Sequence, residues 1–321
     1  MHILITGGTG FVGSHTAALL LRQGHRLRLL GRDFTRVQHL LAAGAEPLRA
    51  DLRDHQAIVA ACAGCDAVIH AGALSAPWGR QADFLATNVG GTAAVVAGCR
   101  RYGVRRLVLI SSPAVLFDGR DMIEATDARP YPKSFSSAYA LSKSIAERIV
   151  RAAHEIESVI LRPKAIFGPG DSALLPRLIA AAQAGRLPQI GDGQNLVDLT
   201  YVENVAHAIS LALSAEAAVG WTYTITNDEH VRLWDLIRSV LSRLGLSTNL
   251  RRVSLRAALF AATLMELRAA LTGREPLLTR YTVGILARTQ TYNISAARSD
   301  LGYAPLISVA EGLERTLGIE N

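Results

Sequence analysis

Tyr139 and Lys143 stand four residues apart in Tyr139-Ala140-Leu141-Ser142-Lys143. Around them Ala140, Leu141, Ile145, Ile149 and Val150 recur at helical spacing between 137 and 154. The phenol and the ammonium therefore share one helix face and reach the same small volume. A free phenol titrates near ~10, too weak an acid or base for fast proton transfer at neutral pH. A fixed cation beside it favours the phenolate and draws that pKa towards the working range. The pair alone is a common accident of surface helices, so its weight depends on a third hydrogen-bonding group and a cofactor loop. Ser112 offers the first: the apolar strand Arg106–Ile110 runs into Ser111-Ser112-Pro113, and Pro113 stops it. Hydroxyls are left at the carboxyl end of that strand, where open α/β sheets bind ligands. On its own Ser112 reads as a strand-end turn serine.

The elements that must position these groups begin at the N-terminus. His2–Thr6 is a short, nearly all-apolar strand of the kind buried on both faces of a parallel sheet. Thr6-Gly7-Gly8-Thr9-Gly10-Phe11-Val12-Gly13 follows and leads into an apolar helix to about Gln23. Strand, glycine turn and helix in that order open a dinucleotide-binding unit: Gly7 for the tight turn, Gly10 for approach to the pyrophosphate, Gly13 for close helix packing. A second strand, Arg26–Leu30, ends at Gly31-Arg32-Asp33. An NAD site usually places an acid at this strand end, whereas Gly31 stands here and Arg32 follows. A guanidinium suits a 2′-phosphate, so NADP(H) is the expected cofactor. Asp33 keeps NAD(H) open, since it could take the ribose, and Arg36 is either a second phosphate contact or a solvated helix face.

Further strands are expected at Ala45–Ala50, ending at Asp51-Leu52 beside the adenine, and at Asp66–His70, followed by the small residues Ala71, Gly72 and Ala73. His70 reads as a packed, hydrogen-bonded side chain. A long helix covers Gln81–Tyr102, in which Asn88 either faces solvent or ties the helix to a neighbouring strand. A loop over 117–135 precedes the Tyr139 helix. The sixth strand, Val159–Leu161, exits through the Pro/Gly-rich segment from Arg162 to Asp171, which is expected to close over the nicotinamide. Beyond it β–α alternation lapses, with a strand at Thr222–Thr226 and helices at 172–184, 202–214 and 232–244. The fold class is thus α/β, a Rossmann-type doubly wound parallel sheet with a smaller mixed lobe. Residues 1–168 form the cofactor domain and 169–321 the substrate lobe, with segments free to cross between them.

At 321 residues, half of them hydrophobic and 19% charged, the chain carries a sizeable core and is not disordered. A net charge of +7 favours anionic ligands such as nucleotide phosphates. The arginines are scattered with no nucleic-acid motif, so no nucleic-acid partner is expected. Cys62, Cys65 and Cys99 make no disulfide framework, and Cys62-Ala63-Gly64-Cys65 reads as small buried residues at a helix-to-strand turn rather than a redox or metal pair. No metal is expected. The chain enters its first strand with no charged-then-apolar leader, which makes cytoplasm the expectation. In 254–271 only Ala257–Met265 is free of charge, and nine residues of helix span ~14 Å, short of a ~30 Å hydrocarbon core. That helix packs on the lobe, caps a greasy pocket, makes an oligomer contact or rests on a membrane surface.

With these residues assembled, the chain resembles the extended short-chain dehydrogenase/reductases (the NAD-dependent epimerase/dehydratase superfamily) over essentially its whole length. The matches are the 6–13 glycine loop, Asp51-Leu52, the Ser112/Tyr139/Lys143 set, and Arg162-Pro163 with Gly168-Pro169-Gly170-Asp171. Within that group, stretches 70–79, 197–208 and 274–283 are similar to the 3β-hydroxysteroid dehydrogenase branch. Bacterial members that reduce 2-alkyl-3-oxoalkanoates are similar too, and sterol 4-carboxylate dehydrogenases are near neighbours. The resemblance implies hydride transfer between a ketone and a secondary alcohol on a hydrophobic substrate, and a homodimer through the helices at 81–102 and 137–154. Tyr139 acts as acid/base, Ser112 holds the carbonyl oxygen, and Lys143 lowers the Tyr139 pKa and holds the nicotinamide ribose. Cofactor contacts are expected at Gly7, Thr9, Gly10, Phe11, Val12, Arg32, Asp51, Leu52, Ala71, Gly72, Ala73, Tyr139, Lys143, Pro163, Ala165 and Ile166. Two departures narrow the chemistry. Val197 stands where sugar-nucleotide epimerases usually carry an Arg, and Pro113-Ala114 follow Ser112 where sugar dehydratases carry an acid pair. Rival readings are an NAD-dependent hydroxysteroid or sterol-4-carboxylate dehydrogenase and a dihydroflavonol-type reductase. A dinucleotide-sensing regulatory protein is the non-enzyme rival, against which the intact Tyr and Lys argue.

Overall fold

A computed structural model describes residues 1–318. Its main sheet has seven strands, numbered here within that sheet: β1 (His2–Thr6), β2 (Arg26–Gly31), β3 (Glu46–Arg49), β4 (Ala67–His70), β5 (Arg106–Ile110), β6 (Glu157–Pro163) and β7 (Thr222–Ile225). They pair in the order β7-β6-β5-β4-β1-β2-β3, and every pairing is parallel. Side chains alternate across each strand. Ile3, Ile5, Leu27 and Leu29 pack on one face with the helices Phe11–Arg22 and Val202–Ala212. Leu4, Leu30, Val68 and Leu107 pack on the other with the helices His55–Ala61, Gly91–Tyr102 and Ala138–Arg151. Burial on both faces explains the near-continuous apolar strands. The doubly wound sheet is as expected, with β6 longer than the three apolar residues that announced it.

The seventh strand comes from the 222–226 stretch first read as part of the lobe. It closes the sheet edge beside β6, with Tyr223 opposite Leu161. The lobe itself is built on a four-stranded sheet of Val231–Arg232, Leu196–Val197, Gln290–Tyr292 and Met122–Ala125, in that order. Met122–Ala125 lies in the stretch expected to be a loop. Its alternation is too short to show, and its partner Gln290–Tyr292 is more than 160 residues away in the chain. Elsewhere in the lobe Trp234, Ile237, Leu241, Ala258, Ala262 and Val283 form a separate apolar cluster.

The helix expected at 81–102 is continuous but contains a π-helical stretch, Leu85–Gly90. The wider turn puts Asn88 inward and buried. Its amide accepts from the Leu74 N–H at 2.7 Å, donates to the Leu74 carbonyl at 3.0 Å and donates to Ser142 Oγ at 2.9 Å. The Asn88 tie therefore runs to the segment after β4 and to the Tyr139 helix. His70 is packed as expected, bonded to Thr6 Oγ1 at 2.6 Å and Thr92 Oγ1 at 3.0 Å. Its burial pushes the imidazole pKa down to about 3. Cys62 and Cys65 are free and buried at the corner between the helix His55–Ala61 and β4, and Cys99 is free and buried on the helix Gly91–Tyr102.

Candidate active site

The expected site residues gather along the carboxyl ends of the parallel strands, around the point where strand order reverses between β1 and β4. Gly7 follows β1, Arg32 follows β2, Asp51 and Leu52 follow β3, and Ala71–Ala73 follow β4. Ser112 follows β5, and Pro163 ends β6. The backbone there fits a dinucleotide. Gly7 has φ +67°, and a Cβ on it would lie 2.6 Å from Gly72 Cα. A Cβ on Gly13 would lie 2.2 Å from the Gly7 carbonyl oxygen, so the helix opening at Phe11 can sit against the turn only with glycine there. Gly10 N–H closes the turn onto the Gly7 carbonyl at 2.9 Å, and Phe11 and Val12 begin the helix whose amino end faces this turn. Thr9 fills the space beside Gly31, where a Cβ would come within 2.4 Å of Thr9 Oγ1. Ala165 holds φ +43°, a strained backbone for a residue with a Cβ. Ile166–Phe167 pairs with Thr200–Tyr201 and turns the chain away from β6.

Tyr139 lies in the first turn of the helix Ala138–Arg151, which starts at Ser137, whose Oγ accepts from Ala140 N–H at 3.1 Å. Ser112 caps a short 3₁₀ turn, its Oγ accepting from Ala114 N–H at 3.2 Å. Burial pushes the Tyr139 phenol above its ordinary pKa, and the nearby Ser75 and Ser112 hydroxyls work against that rise. Ser112 thus lies near Tyr139. Ser75, in the segment tied down by Asn88, was not expected. Lys143 is buried, donates to the Ile110 carbonyl at 2.6 Å, and has its pKa lowered to about 8 by burial, with Glu147 pulling it back up. The Lys143 ammonium is directed at the carbonyl that ends β5, and burial is the largest influence on the phenol.

Below Lys143 lies a network the sequence reading missed. Glu147 is fully buried and receives Arg162 Nε at 2.9 Å and Nη2 at 2.6 Å, a bidentate pair. Ser111 Oγ and Tyr131 Oη each donate to it at 2.6 Å. Burial pushes the Glu147 carboxyl up, but the Arg162 hydrogen bonds and charge outweigh it and hold the group below its ordinary value. Arg162 also faces Asp127 at 3.5 Å, and Asp127 accepts from the Thr224 N–H and hydroxyl on β7. The available signal was spacing: Glu147 is four residues beyond Lys143 on the same helix face.

Against Tyr139 opens a cavity of about 570 Å³. Trp78, Phe84, Phe135, Leu141 and Tyr281 supply its apolar wall, while Lys133, Glu266 and Arg280 line it with charge. Tyr281 is pushed up by burial and by the neighbouring Tyr139. Glu266 and Arg280 pair at 2.8 Å, and exposed Lys133 has no ion-pair partner among the described residues.

Residues 4–256 match the 3-beta hydroxysteroid dehydrogenase/isomerase family. A 2-alkyl-3-oxoalkanoate reductase of Stenotrophomonas maltophilia is 38% identical, with 98% of each chain covered. A sterol-4-alpha-carboxylate 3-dehydrogenase, decarboxylating, of Mus musculus is 33% identical over 98% of this chain and 89% of its own. Among solved structures, MoeE5 in complex with UDP-glucose and NAD superposes with a TM-score of 0.76 at 25% identity, covering 99% of this chain and 98% of that one. That structure, with NAD bound, corrects the expected preference for NADP(H). The physical reason lies at the end of β2. Arg32 is exposed and its guanidinium lies 3.8 Å from the Asp51 carboxylate, so the cation meant for a 2′-phosphate faces an anion. Asp51 is itself held by Arg53 through two bonds of 2.9 Å, which lower its pKa to about 2 and keep it negative.

Glu147→Ala should lower the unfolding free energy by about 3–5 kcal/mol in urea titrations, because it strands the Arg162 guanidinium in the interior. The double variant Glu147→Leu/Arg162→Met should recover much of that loss.

Proposed function

Since this chain belongs to the 3-beta hydroxysteroid dehydrogenase/isomerase family, within the extended short-chain dehydrogenase/reductases, we propose that it is an NAD(H)-dependent enzyme of hydroxysteroid or sterol-carboxylate type. The chain is an oxidoreductase acting on CH–OH and C=O groups of a hydrophobic substrate. The observation that carries this reading is that Tyr139, with Ser112 near its phenol, stands on a cavity with an aromatic and aliphatic wall at the carboxyl end of the sheet. When bound, the nicotinamide dinucleotide accepts or supplies the hydride. In oxidation Tyr139 takes the proton of the substrate hydroxyl, and in reduction it returns one to the carbonyl oxygen. Ser112 hydrogen-bonds the same oxygen and favours the charge that develops on it. Lys143 supplies positive charge under this site, fixed by the Ile110 carbonyl and favoured by the negative charge of Glu147.

The names of two relatives share a chemical feature. A 2-alkyl-3-oxoalkanoate and a sterol 4-carboxylate oxidised at carbon 3 both carry the reacting oxygen β to a carboxylate, on a bulky apolar skeleton. The apolar wall of Trp78, Phe84 and Leu141 suits the skeleton, and Lys133 at the same cavity suits the carboxylate. Buried Val197 supplies no cation for a nucleotide diphosphate. Reduction of a 2-alkyl-3-oxo acid is the second reading, favoured by the 38% identical relative.

The test is NADH appearance with a 3β-hydroxy-4-carboxysteroid and NADH loss with a long-chain 2-alkyl-3-oxo acid. Each assay is repeated with the 2′-phosphorylated cofactor. Turnover with NAD(H) is expected to exceed that with NADP(H), and Tyr139→Phe should lower kcat by at least about a hundredfold while leaving NADH affinity nearly unchanged. Equal loss of NADH affinity would contradict the role given to Tyr139. A second expectation concerns pH. Lys143 is charged below its pKa of about 8 and neutral above it. The kcat for ketone reduction should therefore be flat below that pH and fall above it, and Lys143→Arg, charged throughout, should remove that inflection from whatever activity it retains.

A further inference from the structure

The helix Leu255–Thr272 is inside out. It buries the alanines Ala258, Ala262 and Ala269 and half-buries Leu255, Leu259 and Met265, while four other large apolar side chains stand in solvent. Phe260 is 67% exposed, Leu264 52%, Leu267 59% and Leu271 89%. At 3.6 residues per turn these four fall within roughly 60° of one face, opposite the alanines. A surface helix of a globular protein normally turns its apolar stripe to the core. Single exposed leucines need no explanation, but five of the ten large apolar residues exposed among the described residues fall between Phe260 and Leu277.

The charge around the stripe selects its partner. Arg251, Arg252, Arg256, Arg268 and Arg274 are all exposed, and none makes an ion pair among the described residues. The two carboxylates of the segment are already paired, Glu266 with Arg280 and Glu275 with Arg177. A second copy of this chain would bring a like-charged rim against this one. An apolar face set among unpaired arginines is instead the pattern of a helix lying in the interface of an anionic bilayer. No helix among the described residues is long and apolar enough to cross a membrane, so the contact is a resting one. The same helix supplies Glu266 to the wall of the cavity that holds Tyr139, which places that cavity next to the contact face.

We propose that the exposed Phe260/Leu264/Leu267/Leu271 face docks the protein on an anionic lipid surface. The experiment is flotation of the full chain with vesicles of phosphatidylcholine alone, or of equal parts phosphatidylcholine and phosphatidylglycerol, at low and high salt. It needs no turnover and is independent of the proposed reaction. The protein should float with the anionic vesicles, less so in high salt and not with the neutral ones. Leu264→Asp/Leu267→Asp should lower the bound fraction at least about tenfold with an unchanged thermal midpoint, because both positions are exposed. If that variant loses its fold, Arg256→Glu/Arg268→Glu decides, with the same loss expected. Absence of flotation with anionic vesicles at low salt, or binding that a folded variant leaves intact, would overturn the proposal. So would a dimer in sedimentation that disperses in Leu264→Asp/Leu267→Asp, since the face would then be covered by a second copy.

Discussion

The site depends on one buried ion pair. Glu147 and Arg162 join the helix that carries Tyr139 and Lys143 to the strand that ends at the cofactor side of the sheet. Two charges withdrawn from water are tolerable only where most of the remaining donors and acceptors are met, and Arg162 Nη1 alone keeps no hydrogen bond, only the Asp127 carboxylate at 3.5 Å. Here Ser111 comes from the end of β5, Tyr131 from the loop before the helix, and Asp127 bridges onward to Thr224 of β7. Five separated pieces of chain are thereby required to agree in position. The same carboxylate keeps a positive charge favourable on Lys143, which burial alone would tend to discharge. The helix that carries Tyr139 is thus set against the sheet by electrostatics as well as by the packing of Ala140, Ala146 and Val150.

On the cofactor side the controlling constraint is steric. Gly7, Gly13 and Gly72 bring three backbone segments closer than any Cβ permits. That leaves the amino end of the first helix open towards a phosphate. Beside it the balance of charge is subtler, because Arg32, Asp51 and Arg53 form a chain of alternating sign. An arginine at that strand end is therefore not a free phosphate ligand, and a reading of Arg32 without its neighbour favours the wrong cofactor.

The lobe shows how little sequence distance predicts contact. Met122–Ala125 leaves the cofactor half to become an edge of the lobe sheet, and Thr222–Ile225 returns from the lobe half to finish the main sheet. These crossings tie the two parts at both edges. They also place Tyr281, from late in the chain, beside Tyr139.

The sequence by itself determined the doubly wound sheet and the glycine turn, and it pointed to Ser112, Tyr139 and Lys143 as a candidate set. Those features are local: apolar runs of strand length, glycines at fixed offsets and a four-residue helical spacing report on themselves. The family resemblance was legible for the same reason. Tertiary structure decided the rest, because it depended on partners far apart in the chain. Glu147 became a buried anion only when Arg162 arrived from the next strand. Arg32 was seen to face an anion only when Asp51 came within 3.8 Å of it. Ser75 reached the phenol through a loop that Asn88 pins from a π-helical turn. The helix Leu255–Thr272 has nearly the same apolar composition whichever face is inward, and only its packing through alanine left Leu264, Leu267 and Leu271 outside. Local pattern fixes what a segment can be, and the charge and burial supplied by distant residues fix what it does.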